Sequence, residues 1–206
     1  MSMAGARTAP DEAAAVHAQP TPRDLAVNAA ILGFAAAAWF GWAQQRPPAG
    51  WAVCLSVGSV LGIIAAVGGA VAAWRCRGPA GAALSAMADP TNRRTYNLTV
   101  GAEVFTCVAG SVVLGLAGAG NFVAPWVLFV VGVHFLPLAR VFRIRSLVPL
   151  AVVCTLVALA ATLIGRYGAA PPSAVAGAGG GLALLVEGVA SLVIWRRLRV
   201  ADAGDV

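Results

Sequence analysis

The stretch FVAPWVLFVVGVHFLPLARVFRIRSLVPLAVVCTLVALAATLIG, residues 122–165, decides the fold: two apolar runs, 122–139 and 147–165, are separated by a short segment holding Arg140, Arg143 and Arg145. A helix needs roughly 17–25 predominantly apolar residues to cross the hydrocarbon core of a bilayer, and each run is of that length. Neither run shows the polar/apolar alternation of a barrel strand, and backbone groups in lipid must be paired within their own segment, so both read as membrane-spanning helices.

The rest of the chain repeats this pattern. Of its 206 residues 60% are hydrophobic and 11% charged, about half the charge of an ordinary soluble domain. Further apolar blocks run at 25–44, 49–74, 98–119 and 172–195. The expected fold is therefore all-α, a polytopic bundle of six transmembrane helices occupying residues 25–195. Short joins at Gln45–Pro48 and Gly118–Asn121 make the helices on either side of them antiparallel neighbours.

Arginine sets the expected orientation, because the chain has fourteen basic residues and no lysine. With the N-terminus cytoplasmic, twelve arginines (7, 23, 75, 77, 93, 94, 140, 143, 145, 196, 197 and 199) lie inside and only Arg46 and Arg166 outside. That asymmetry puts both termini in the cytoplasm. The same distribution removes nucleic acid as a partner despite the net charge of +6, since the arginines border membrane spans instead of forming a stripe; their ordinary role is anchoring helix ends at anionic headgroups.

Residues 1–24, rich in Ala, Pro and mixed charge, are expected to be a disordered cytoplasmic tail leading into a retained first span, and 196–206 a second cytoplasmic tail. His17 falls in the first tail and is expected to be solvated. In the long inner loop 75–97 the small-residue segment is expected to form a short interfacial helix. Asp89-Pro90-Thr91 offers capping and initiation chemistry for the third helix, with Thr91 or Asn92 as the named candidates for its cap.

Absences narrow the chemistry. Without lysine there is no Walker A loop, no Schiff base and no lysine general base. There is no HExxH and no GxSxG, and one intramembrane histidine cannot supply a bis-histidine haem or a three-histidine metal site. No metal and no cofactor is expected, and no catalytic residue. Cys54, Cys107 and Cys154 fall inside spans and Cys76 lies between Arg75 and Arg77, without CxxC or Cys/His spacing. Gly58/Gly62 and Gly177/Gly181 have small-xxx-small spacing, which lets helices approach closely.

Three ionisable side chains remain inside apolar spans: Glu103, His134 and Glu187. Such groups are costly in lipid and normally face the bundle interior with partners. At 1.5 Å per residue, Glu103 lies about 14 Å from Arg94, His134 about 9 Å from Arg140 and Glu187 about 14 Å from Arg196, so all three occupy the cytoplasmic half at similar depth. Thr99, Glu103, Thr106, Cys107 and Gly110 share one helical face, and Gly180, Ala183, Glu187 and Ser191 another. Pro137 cannot donate to the carbonyl of Val133, which frees an acceptor beside His134 and favours a bend. Glu103, His134 and Glu187, supported by Thr106, Pro137 and Ser191, are thus expected to converge on one intramembrane polar site. Two uses are open: proton-responsive or proton-coupled handling of a small polar or cationic solute, or a polar cluster that only fixes helix packing in a membrane scaffold or partner-binding subunit. The expected partners are the lipid bilayer and protons or such a solute; a homo-oligomer is left open.

Asn92-Arg93-Arg94, Gly101-Ala102-Glu103 and above all VGVHFLPLAR at 131–140 resemble an uncharacterised family of small bacterial six-helix integral membrane proteins with a Gly-x-His-Phe-x-Pro-Leu-Ala signature. The resemblance spans most of residues 90–195. It implies the bacterial inner membrane, the same helix count, and a place for Glu103 and His134 in the signature; it implies no particular activity.

Overall fold

Local chemistry sets where the helices begin. Thr21 accepts a hydrogen bond from the Asp24 amide at 3.1 Å, and Pro22 takes the first helical position, where its missing N–H costs nothing. The first helix therefore starts three residues earlier than its apolar block. In the computed structural model, which describes residues 20–77, 86–168 and 170–204, the helices are α1 (Pro22–Ala43), α2 (Trp51–Arg75), α3 (Pro90–Leu116), α4 (Val123–Phe142), α5 (Leu147–Arg166) and α6 (Pro172–Gly204). Short 3-10 turns at Ala86–Ala88 and Gly120–Phe122 precede α3 and α4. The described residues contain no strand, and six helical segments are long and apolar enough to cross a membrane. The protein is a multi-pass membrane protein.

Two further boundaries differ from the sequence reading. Asp89, not Thr91 or Asn92, caps α3: its carboxylate accepts from the Thr91 amide at 2.8 Å with Pro90 following it. A carboxylate at the positive end of a helix, followed by proline at the first position, outcompetes a cap inside the turn. Beyond Trp195 the chain does not leave the helix, and α6 continues through Gly204. Residues 1–19 of the expected tail, and the small-residue segment 78–85 expected as an interfacial helix, lie outside the described residues.

Packing is built on close backbone approach. α1 runs between α2 and α6, burying Ala26, Ala29, Leu32 and Ala36. A Cβ on Gly62 of α2 would sit 2.7 Å from the Ala37 amide nitrogen and 2.9 Å from the Gly33 carbonyl, and one on Gly177 of α6 would sit 2.7 Å from the Trp39 carbonyl. The small-residue faces of α2 and α6 are therefore the surfaces on which α1 rests. α6 also touches α4 and α5, which pack on each other. α3 packs chiefly on α4 and buries no residue fully. It is held where the Trp126 indole lies over Gly110 and donates to the Thr106 carbonyl at 3.1 Å.

The α4–α5 turn is tight. Arg143 ends α4 in the left-handed conformation, φ 57°, and Ser146 stands at the N-cap of α5 without capping it. Tyr96 at the start of α3 meets Phe142 at the end of α4 edge to face, with ring centroids 5.9 Å apart. The Asn28 amide at the start of α1 donates to Ser191 near the end of α6 at 3.0 Å. These contacts gather the arginine-bearing helix ends at one end of the bundle.

Candidate functional site

Helical spacing places one face of α1 (Asp24, Asn28, Ile31, Ala35) opposite Tyr96 and Val100 of α3 and Val131, His134, Leu138 and Phe142 of α4. These faces do not close completely. They leave a cavity of about 150 Å³ in the arginine-rich half, with Asp24, Asn28, Tyr96 and His134 as its polar lining and Leu184 of α6 contributing to its wall. A water occupies about 30 Å³ of liquid, so the space holds a few waters or one small solute. It is below the 300–1,000 Å³ typical of sites for drug-sized molecules.

His134 Nδ1 lies 3.0 Å from the Val131 carbonyl oxygen and 3.3 Å from Glu103 Oε1, with the two side chains 12% and 17% exposed. A carbonyl can only accept, so Nδ1 carries the proton and donates; the tautomer is assigned from these neighbours. Nε2 is then the ring's remaining polar atom, a proton acceptor while the imidazole is neutral and a donor once charged. The arrangement is a carboxylate–imidazole pair whose imidazole borders a small cavity, a geometry able to take up and release a proton.

Glu187 does not join this pair. Ser146 Oγ donates to its Oε1 at 2.6 Å, and Ser191 supplies a second side-chain hydrogen bond. Ser191, 1% exposed, also receives Asn28, so a polar chain runs Ser146–Glu187–Ser191–Asn28 and ends at the cavity wall. Glu187 lies beside a different space, a groove between α5 and α6. The counted depths agree, but depth says nothing about rotation around the helix axis, and α6 turns its carboxylate toward α5.

The supporting residues divide likewise. Thr106 enters through its carbonyl, which receives Trp126, so it fixes α3 against α4 one turn beyond Glu103. Pro137 lies inside a helix that is continuous from Val123 to Phe142, and the carbonyl engaged by His134 is that of Val131, not Val133. Ser191 belongs with Glu187.

Four contributors were not singled out from sequence: Asp24, Asn28, Tyr96 and Ser146. Asp24 is 5% exposed and accepts the Ala86 amide at 3.0 Å, tying the start of α1 to the turn before α3. The signal was available, because Asp24 and Asn28 are four residues apart and therefore on one helical face. Among the described residues no three His, Cys, Asp or Glu side chains come together in a way that would hold a metal ion. No protein-family model, curated protein or solved structure matches the chain.

Proposed function

We propose that the protein is a proton-coupled or proton-responsive handler of a small polar solute, with Glu103 and His134 as the proton-exchanging pair. The observation that carries this reading is the pairing of His134 with Glu103 at 3.3 Å beside a cavity of about 150 Å³. Ionisable groups inside a membrane bundle are expensive to keep and typically mark ion or proton pathways. The two side chains reach the pair from different helices, and α3 buries no residue fully, so a change in protonation acts on the helix with the least buried surface in the bundle. Asn28 and Tyr96 would supply neutral hydrogen-bonding groups to the solute.

The twelve-to-two arginine asymmetry supports cytoplasmic termini and a cavity in the cytoplasmic half. The resemblance carried by residues 131–140 supports the bacterial inner membrane.

The test is proton movement in proteoliposomes containing a pH-reporting dye. Wild-type protein should dissipate an imposed pH gradient, and E103Q should slow this about tenfold or more. Equal rates for the two, or no protein-dependent movement, would remove the reading. A second reading, that the polar residues fix helix packing alone, is favoured by the engagement of Glu187 with the Ser146 and Ser191 hydroxyls. On that reading E103Q lowers thermal stability and leaves gradients as they are in empty liposomes.

A further inference from the structure

The groove between α5 and α6 has a composition unlike the cavity's. It encloses about 480 Å³, three times the cavity's space and within the range that receives drug-sized molecules. Leu150 and Val153 of α5 and Leu182 and Val186 of α6 wall it, and at its arginine-rich end stand Glu187 and Ser146. From Glu187 to Gly179, which also lines it, is eight residues, about 12 Å along α6. Val153, Leu182 and Val186 are 44%, 57% and 60% exposed, so the groove opens toward the acyl chains rather than toward water. An occupant would enter from within the bilayer and must be largely apolar.

Its polar end selects the charge. Glu187 is 8% exposed, and its partners are the hydroxyls of Ser146 and Ser191. Among the described residues Arg143 and Arg145 in the adjoining turn and Arg196 on α6 make no ion pair with it, and Asp24 on α1 carries the same sign. A carboxylate so placed is neutralised either by its own proton or by a cation that comes to it, because an uncompensated buried charge is costly. Ser146 sharpens the point: standing at an N-cap, it leaves its own helix uncapped and turns its hydroxyl to Glu187, fixing the carboxyl group at the groove's end.

We propose that the α5–α6 groove is a binding site for a lipophilic cation, an apolar body of drug-like size with its positive charge at Glu187, which gives up its proton as the cation enters. The proton passes to solvent and the carboxylate keeps the electron pair, so charge within the site is conserved. This site is separate from the Glu103–His134 cavity, and binding to it requires no transport, so either assignment can fail without the other.

Tetraphenylphosphonium is a suitable probe. With full-length protein in detergent, equilibrium dialysis should show saturable binding of one cation per chain, and a pH indicator in weak buffer should report about one proton released for each cation bound. E187Q keeps the shape of the side chain and should weaken binding about tenfold or more while removing the proton release. V153W fills the groove without touching Glu187 or Ser146 and should weaken binding similarly, with its unfolding temperature near that of wild type; it decides the matter if E187Q does not fold. Unsaturable binding, binding unaltered by whichever of these variants folds, or binding without proton release would overturn the proposal and leave the groove to the lipid chains.

Discussion

Glu103 and Glu187 lie at similar depth in the arginine-rich half of the same bundle, yet their surroundings differ in kind. Glu103 extends from α3, a helix with no fully buried residue, and its recorded partner is an imidazole that can change charge. Glu187 sits on α6, which touches four other helices, and is held by two hydroxyls that cannot. The first carboxylate extends from a helix with little buried surface to a titratable group; the second is held on a helix packed against four others. Similar cost of placing charge in the membrane is thus met in two ways, one suited to exchanging protons beside a small cavity and one suited to anchoring charge at the end of a groove.

This contrast predicts unequal responses to substitution. The largest should be that of Glu187→Ala, which strips the buried Ser191 and the half-buried Ser146 of their acceptor and should cost roughly 2–3 kcal/mol in reversible unfolding from detergent. Next is Asn28→Ala, which breaks the tie between α1 and Ser191 and should cost about 1 kcal/mol in the same assay. Trp126→Phe removes the indole N–H that reaches Thr106 and should cost about the same or less. Its more telling effect should be on spin-label distances between α3 and α4, which should broaden while α4–α5 distances stay sharp. Smallest should be Glu103→Ala, below about 1 kcal/mol, because His134 keeps the Val131 carbonyl and α3 buries little. If Glu103→Ala proved as destabilising as Glu187→Ala, the two sites would be one structural network and the contrast would dissolve.

The six spans were legible in the sequence because lipid imposes both length and apolarity on a helix, and the Gly62 and Gly177 faces because close approach tolerates only small residues. The meeting of Glu103 with His134 was legible as a coincidence of depth on helices joined by a short turn. The position of Glu187 was not, since the direction in which α6 presents it depends on how α6 is wedged among α1, α2, α4 and α5. Asp24 and Asn28 escaped notice for a simpler reason. With the first helix started at residue 25, Asp24 fell into the tail and Asn28 stood alone in an apolar block, and the four-residue spacing that puts them on one face disappeared. Ser146 stands at an N-cap position, and only the packing of α5 against α6 reveals that its hydroxyl is used elsewhere.

The central claim, that Glu103 and not Glu187 is coupled to His134, can be read directly from the histidine. The chain holds two histidines, so substituting His17 leaves His134 as the sole imidazole. Its nitrogen resonances, followed by NMR across a pH series in isotopically labelled protein in bilayers, give its titration midpoint. A carboxylate within hydrogen-bonding distance favours the charged form of an imidazole. The midpoint should therefore move in E103Q and stay within measurement error in E187Q. A midpoint unmoved by E103Q, or moved equally by both substitutions, would contradict the account.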